Sequence, residues 1–480
     1  MKNAMLASAI FSCIMLHSFT SSAQHYAFSP DFFPVAVFLQ APYNIQAYKD
    51  AGVNIYYDLS WGPLDAFHLN AFHDAKMYVI CAPDSFALTV LSDTLIYGWS
   101  MIDEPDNAQW NPVTNQYDSC IHPLVIIDRY QEIKLLDDTR PVILNLGQGV
   151  ANLTWIGRGD CYNWIASYPT YNNGYLSGCD IGMFDIYPVN STISGITDSL
   201  WYLAKGLDSL YAWSPNTQKP MWAWIETTKI SSTSAGKPSP EQVKSEVWIA
   251  LVHGAKGIGY FTHSWDPTYV SGAVLLDTPM VEAITALNNQ ISALAPILNS
   301  PDLLGFATVN SSNAEVPIDI MVKSYGAEHY IFTVAMRGGN ATGTFTVASG
   351  TMVEVLGENR TIPIINGQFS DDFSAYGVHL YKITGSSSET AEILPGRQIG
   401  MKVYPNPTES GINVEISRIG NEPVRLVIHH MLGEKVFEKN LSGLSDLYSF
   451  DLKSLQLESG LYRISLQSED YTVSKKIILF

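Results

Sequence analysis

Residues 96–105 have the sequence IYGWSMIDEP, and residues 221–226 have the sequence MWAWIE. Both are short apolar runs rich in aromatic residues, and each run ends in a glutamate, Glu104 or Glu226. Such runs predict buried strands that carry an ionisable group at the carboxyl end. Pro105 cannot continue a strand ladder, so it marks where the first of these strands stops.

Further runs of this kind predict the fold. Between residues 31 and 297 there are eight in all, with helical patterns between them and after the last. Eight strand–helix repeats over about 265 residues predict an α/β fold, the (β/α)8 TIM barrel. A doubly wound sheet is the alternative, but it usually has fewer strands, and no GxGxxG motif opens the first repeat. The eight runs are Pro34–Gln40, Val53–Leu59, Met77–Pro83, Ile96–Glu104, Pro141–Gly147, Asp180–Pro188, Met221–Glu226 and Gly257–Thr262.

The flanking regions differ in character from the barrel. Lys2, the apolar run 4–19 and the small residues 21–23 indicate a signal peptide. A membrane anchor is the alternative, but the run is short for one, and no other segment is apolar enough to span a bilayer. The predicted domains are a signal peptide over 1–23, the barrel over 24–300, a β-sandwich over 301–383, a Ser-rich linker over 384–398 and a small β-sandwich over 399–480.

Composition limits the possible partners. The chain has 27 Lys and Arg against 46 Asp and Glu, a net charge of −19, which argues against a nucleic-acid partner. The absence of CxxC and HxH motifs argues against a structural zinc site. Cys81 is expected to be a buried free thiol, and one disulfide is expected among Cys120, Cys161 and Cys179.

Four landmarks occur in order in the last 80 residues. They are Val403-Tyr404-Pro405-Asn406-Pro407, Met431-Leu432-Gly433-Glu434, Gly460-Leu461-Tyr462 and Lys475-Lys476-Ile477-Ile478. This region resembles the type A C-terminal sorting domain of the type nine (Por) secretion system of Bacteroidetes-type bacteria. The resemblance implies that machinery as a partner, export across the outer membrane to the cell surface or exterior, and usually removal of the tail. A carbohydrate-binding sandwich is the alternative, but the region contains no Trp to stack on sugars.

Two acidic residues are the main candidates for chemistry. Barrel enzymes build their sites at the carboxyl ends of the strands, where Glu104 ends run four and Glu226 ends run seven. The two carboxyl groups are therefore expected to face each other across the barrel mouth. Glycoside hydrolysis needs such a pair, one to protonate the leaving oxygen and one to attack the anomeric carbon.

Glutamates on strands four and seven of a (β/α)8 barrel resemble the clan A (4/7) retaining glycoside hydrolases. The resemblance implies that Glu104 is the acid/base and Glu226 the nucleophile. It also implies that Tyr187 hydrogen-bonds the nucleophile and that Trp265 floors the −1 sugar site. The clan usually has Asn before the acid/base, whereas this chain has Asp103, which when ionised can only accept a hydrogen bond from a sugar hydroxyl.

Other residues near strand ends are weaker candidates for sugar contacts, with a structural role as the alternative. They are Trp224, Asp58, Asp84, Asn145, Asp185 and His263. Two loops are expected over the mouth, residues 107–117 with Trp110 and residues 148–178 with Trp155, Trp164, Tyr168, Tyr171 and Tyr175. Their aromatic rings would either stack on sugars or pack within the loops.

Together these features predict a secreted retaining glycoside hydrolase. It is expected to cleave β-glycosidic bonds in a poly- or oligosaccharide by double displacement, without a cofactor or metal ion. The acid excess favours a neutral glycan, and the middle sandwich is expected to brace the barrel. The alternatives are a transglycosylase that uses the same residues and a non-catalytic cell-surface glycan-binding protein on a barrel scaffold.

Overall fold

Eight parallel strands close into a barrel, in which each strand pairs with its neighbours along the chain and the first pairs with the last. The computed structural model describes residues 29–60, 62–108, 110–111, 113–152, 155, 174–214, 219–385, 400–404, 408, 410–417, 424–430, 435–441, 447–455, 457, 460–467 and 472–479. Barrel strands one to eight are Val35–Gln40, Ile55–Leu59, Tyr78–Cys81, Ile96–Ser100, Val142–Leu146, Ile181–Phe184, Met221–Glu226 and Gly257–Phe261. The predicted TIM barrel is confirmed.

Helices cover the outside of this barrel. They are Ile45–Asp50, Ala66–Ala75, Pro123–Leu136, Tyr202–Trp213, Pro240–Val252 and Thr278–Leu298. The sequence specifies the start of the fifth of them closely. The Ser239 hydroxyl accepts from the Gln242 amide, the Gln242 side chain accepts from the Ser239 amide, and Pro240 occupies the first helical position.

The packing of the barrel interior requires glycine at two positions opposite indole rings. Trp222 and Trp224 of strand seven point inward, and strand eight carries Gly257 and Gly259 beside them. A methyl group added at Gly259 would lie 2.1 Å from the Trp224 ring, and one at Gly257 would lie 2.5 Å from the Trp222 ring. Each indole therefore fills the space that a side chain on strand eight would need.

Replacing Gly259 with Ala is expected to destabilise the barrel by about 1–3 kcal/mol, because a rigid, buried ring cannot move aside. Thermal unfolding monitored by near-UV circular dichroism would measure the loss. The matched control is Gly338→Ala, whose added methyl group meets nothing within 4 Å. Equal melting temperatures for the two variants would contradict the packing argument.

The predicted β-sandwich follows the barrel as two antiparallel sheets. One sheet contains Ala307–Ser311, Ala341–Val347 and Gln368–Phe373, and the other contains Ile318–Tyr325, Glu328–Ala335, Val378–Thr384, Met352–Val355 and Arg360–Pro363. The sequence analysis did not identify the strand Gln368–Phe373, because its polar residues obscure the alternation of Phe369, Asp371 and Phe373.

The sandwich packs directly on barrel helix Pro240–Val252. Trp248 of the helix stacks on Phe332 at 5.3 Å, and the Ser245 hydroxyl donates to the Tyr376 carbonyl at 2.8 Å. His253, just after the helix, lies between Asp208 of the barrel and Asp319 of the sandwich. The two carboxylates outweigh burial and raise the pKa of His253 to about 9, so the ion pairs join the two domains at neutral pH.

The C-terminal region also forms two antiparallel sheets around its own apolar core. One contains Gly400–Tyr404, Gly411–Ser417 and Leu447–Asp451, and the other contains Lys435–Leu441, Val424–His430, Gly460–Gln467 and Thr472–Leu479. The small β-sandwich predicted here is confirmed.

The cysteines partly resolve the open disulfide question. Cys81 is a buried free thiol, as expected, and Cys179 is also free and buried. Cys120 is disulfide-bonded, and its partner lies outside the described residues.

Candidate active site

Glu104 lies in the loop after strand four, four residues beyond its last residue Ser100. Its backbone has φ +41°, an unusual conformation for a residue other than glycine. Two backbone bonds hold it there, since the Glu104 amide donates to Asn145 at 3.0 Å and Asn107 donates to the Glu104 carbonyl at 2.9 Å. The Asn107 side chain also donates to the Glu104 carboxylate at 3.1 Å. Strand five and the loop itself thus hold the Glu104 backbone, and Asn107 of the same loop orients its carboxylate.

Asp185 brings a second carboxyl group to Glu104. It directly follows strand six, and its side chain lies close enough to those of Glu104 and Tyr187 for both to influence its pKa. Burial and the neighbouring charge of Glu104 raise the pKa of Asp185 well above its ordinary value. Two carboxyl groups this close cannot both ionise easily, and Asp185 is the one whose neutral form is favoured.

Asp103 is a third carboxyl group near Glu104 and Asp185. Its carboxylate accepts from the Asn145 side chain at 2.9 Å, and Asn145 in turn accepts from the Trp224 indole at 3.0 Å. Asn145 and Trp224 are buried, so both support Asp103 from inside the barrel. Both were predicted as sugar contacts, and in this structure both bond protein groups instead.

Glu226 lies in a different environment from the one expected. Its side chain is 0% exposed, and its carboxylate accepts from the Val189 amide at 2.6 Å, the Asn190 amide at 3.0 Å and the Asn190 side chain at 2.5 Å. These donors come from the loop after strand six. The carboxylate is therefore enclosed by protein, whereas the sequence predicted an open position across the mouth from Glu104.

The carboxyl neighbour of Glu226 is Glu246, on helix Pro240–Val252. Both side chains are fully buried. Burial and the charge of Glu226 raise the pKa of Glu246 well above its ordinary value, which favours the neutral form of Glu246. The proximity of Glu246 to Glu226 could not be predicted from the sequence, because a helical pattern does not show which strand residue a helix residue will contact.

The aromatic and histidine candidates fall into two groups, those that contact other protein side chains or backbone and those that are exposed to solvent. Tyr187 contacts Asp185 and packs on Phe261 at 4.9 Å, rather than bonding Glu226. His263 is fully buried and bonds the Phe38 carbonyl at 3.0 Å. Trp265 is 50% exposed and stacks at 4.8 Å on Tyr269, which sequence reasoning missed.

The two predicted aromatic loops are only partly visible. Trp110 is exposed on a hairpin of Trp110–Asn111 and Gln116–Tyr117, where it packs edge-on against Tyr117. Tyr175 is buried, and its hydroxyl donates to the Ile121 carbonyl at 2.7 Å. Trp164, Tyr168 and Tyr171 lie outside the described residues.

Asp58, at the end of strand two, extends the acidic mouth. It accepts from the Ser100 hydroxyl at 2.7 Å and has φ +58°. Burial, and secondarily the charge of Asp103, raise the pKa of Asp58 to about 7. Within the described residues, no group of three or more His, Cys, Asp or Glu is arranged to hold a metal ion.

This pKa predicts how stability depends on pH. Because the folded protein binds a proton at Asp58 more tightly than the unfolded chain, stability should fall as the pH rises from about 4 to about 7. Asp58→Asn should remove that part of the loss, so the variant should melt higher than the wild type at pH 8 and similarly at pH 4. Melting temperatures across this range would test it, and parallel curves would contradict it.

Comparison with protein families identifies one region. Residues 402–479 match the model of the secretion system C-terminal sorting domain. The chain carries a sorting domain. This confirms the resemblance of the tail, and the domain indicates export by the type nine system to the cell surface or exterior, with that machinery as a partner. None of the described helices is long and apolar enough to cross a membrane.

The barrel-containing part is similar in fold to several solved structures. An AmyP variant in complex with maltotriose is 10% identical, with a TM-score of 0.49, covering 77% of this chain and 100% of that one. A family 30 endoxylanase from Clostridium papyrosolvens is 12% identical, with a TM-score of 0.43, covering 74% and 97%. A putative α-galactosidase from Bacteroides fragilis is 8% identical, with a TM-score of 0.44, covering 74% and 79%. Their activities are not transferred to this chain at such identities. Comparison with curated proteins gives no sequence match.

Proposed function

We propose that the chain is a secreted glycoside hydrolase whose proton-transfer pair is Glu104 and Asp185. The observation that carries the proposal is the proximity of these two carboxyl groups beyond the carboxyl ends of strands four and six, which raises the pKa of Asp185. A barrel presents its chemistry at this end. One protonated and one ionised carboxyl group are what cleavage of a glycosidic bond requires.

The roles follow from the protonation states. Asp185 is the member whose neutral form is favoured, and it would give its proton to the leaving oxygen. Glu104, held by Asn107, would then act on the anomeric carbon or on a water molecule. A substrate must separate the two groups, because retaining enzymes hold theirs about 5–5.5 Å apart and inverting enzymes about 6.5–9.5 Å apart. Retention and β-specificity remain predictions from the clan A resemblance.

The clan A assignment gives different roles, with Glu226 as nucleophile. A nucleophile needs a lone pair open to the sugar, but the Glu226 carboxylate accepts hydrogen bonds from three donors and is fully buried. The loop at Val189 and Asn190 would have to move before Glu226 could attack. The observed contacts therefore favour Asp185 as the partner of Glu104.

A panel of β- and α-linked glycans, with product sizes and anomeric configuration read out, would test the function. Wild type should release sugar, and Asp185→Asn should lose about 10²–10⁴-fold in rate while keeping its melting temperature. A non-catalytic binding protein would release no sugar from any glycan. A transglycosylase would shift to longer products when an acceptor sugar is added.

A further inference from the structure

A cavity of about 440 Å3 opens between the ends of barrel strands two, three and four. Among the described residues its walls are mostly aliphatic, and none of the lining residues described is aromatic. Charged and hydroxyl groups reach it from Asp58, Asp84, Ser100 and Arg129. A largely apolar cavity of this size with a few converging polar groups is typical of small-molecule sites. Glu104 and Asp185 are not among the described lining residues, but Met101 and Ile102 of the loop that carries Glu104 are, so the cavity adjoins that loop.

A matched distortion of two strands shapes one wall of the cavity. The pairing register passes from Phe38 directly to Gln40 on strand one, which leaves Leu39 opposite Asp58 of strand two. Leu39 has φ +47° and Asp58 has φ +58°, and both side chains line the cavity. Left-handed backbone is costly for Leu, whereas Asp tolerates it better, and such conformations tend to persist where function requires them.

The Asp84 carboxylate is held in place by one of its oxygens, while the other oxygen has no hydrogen-bond donor among the described residues. Its Oδ1 accepts from the amides of Phe86 and Ala87, both at 2.9 Å, which fixes the carboxylate. Its Oδ2 is buried and accepts no hydrogen bond within the described part of the chain. An unpaired buried acceptor is unfavourable, and a hydrogen bond from a ligand hydroxyl would relieve that cost.

The charges around the cavity select the ligand. Asp58 and Asp84 can both accept from hydroxyl groups, and they would repel a third carboxylate. Arg129, the cationic side chain among the described lining residues, is paired with Glu132 at 2.9 Å. The aliphatic walls suit the C–H faces of a sugar ring. These properties together fit a neutral, polyhydroxylated ring.

We propose that this cavity is a subsite that holds one neutral sugar unit and rejects uronates. The proposal rests on the proposed function and specifies its substrate class. The side chains that make the selection are Asp58 and Asp84, and Ala82 at the exposed rim controls access.

Binding of free monosaccharides to the wild-type protein tests this without requiring hydrolysis. Glucose, galactose and mannose would be compared with glucuronate and galacturonate by titration calorimetry and saturation-transfer NMR at pH 8, above the pKa of Asp58. At least one neutral sugar should bind, and its uronate should bind at least about tenfold more weakly. Equal binding of the uronate, or no binding of any neutral sugar, would overturn the proposal.

Two variants locate the binding. Ala82→Phe should weaken sugar binding by about tenfold or more, because it fills the cavity from an exposed position, whereas Ala47→Phe, exposed on helix Ile45–Asp50 and outside the cavity wall, should not. Asp84→Asn should reduce the difference in binding affinity between the neutral sugar and its uronate, because it removes a negative charge from the cavity wall. Unchanged binding in Ala82→Phe would refute the subsite, even if glycan hydrolysis is found. Binding without any hydrolysis would refute only the proposed function.

Discussion

Glu104→Gln is expected to lower kcat/KM by about 10³-fold or more while leaving the fold intact. Gln keeps the size of the side chain and an oxygen that can accept from Asn107, but it cannot exchange a proton with Asp185. It also removes the charge that keeps Asp185 protonated. The pH profile of the residual rate should therefore lose the limb that reports this pair.

The measurement is release of reducing sugar from the best glycan of the panel, as kcat and KM separately. The matched control is Glu241→Gln, the same change at an exposed position on helix Pro240–Val252. It should keep wild-type rates. Activity of Glu104→Gln within about tenfold of wild type would remove Glu104 from the mechanism.

Glu226→Ala is expected to lower the free energy of unfolding by about 3–5 kcal/mol relative to wild type, the largest loss among the substitutions proposed for this protein. It leaves three buried donors, on Val189 and Asn190, with no acceptor. The melting temperature should fall by roughly 10 °C. The melting temperature of Glu226→Gln should fall less than that of Glu226→Ala, because the Gln side chain keeps one acceptor oxygen. Some loss remains, because its NH2 group would face the backbone and side-chain donors.

Glu246→Gln provides the contrast for this prediction. The raised pKa of Glu246 favours its neutral form in the folded protein, so replacing it with a neutral amide should cost little stability. The raised pKa also means that wild-type stability falls as the pH rises above the ordinary pKa of a glutamate, and Glu246→Gln should lose that dependence. If Glu226→Ala melts like wild type but loses all activity, Glu226 acts on substrate and the clan A roles are correct.

Short-range patterns determined the architecture of this protein. Each barrel strand is one apolar run closed by a polar or turn residue, and each helix shows its own periodicity, so both are visible in a few neighbouring residues. The landmarks of the sorting domain are equally local. The strand Gln368–Phe373 was missed because Asp371, a polar residue on the same face as Phe369 and Phe373, interrupts the apolar alternation.

The partners of the acidic residues were decided only by the tertiary structure. The sequence brings Glu104 and Asp185 to strand ends, but it does not show which carboxyl groups touch, since that depends on a left-handed turn at Glu104 and on side-chain direction. Glu226 likewise stands at a strand end, yet the loop at Asn190 and the helix with Glu246 enclose it. Strand order follows from local pattern, whereas the protonation of these carboxyl groups depends on contacts between residues distant in the chain.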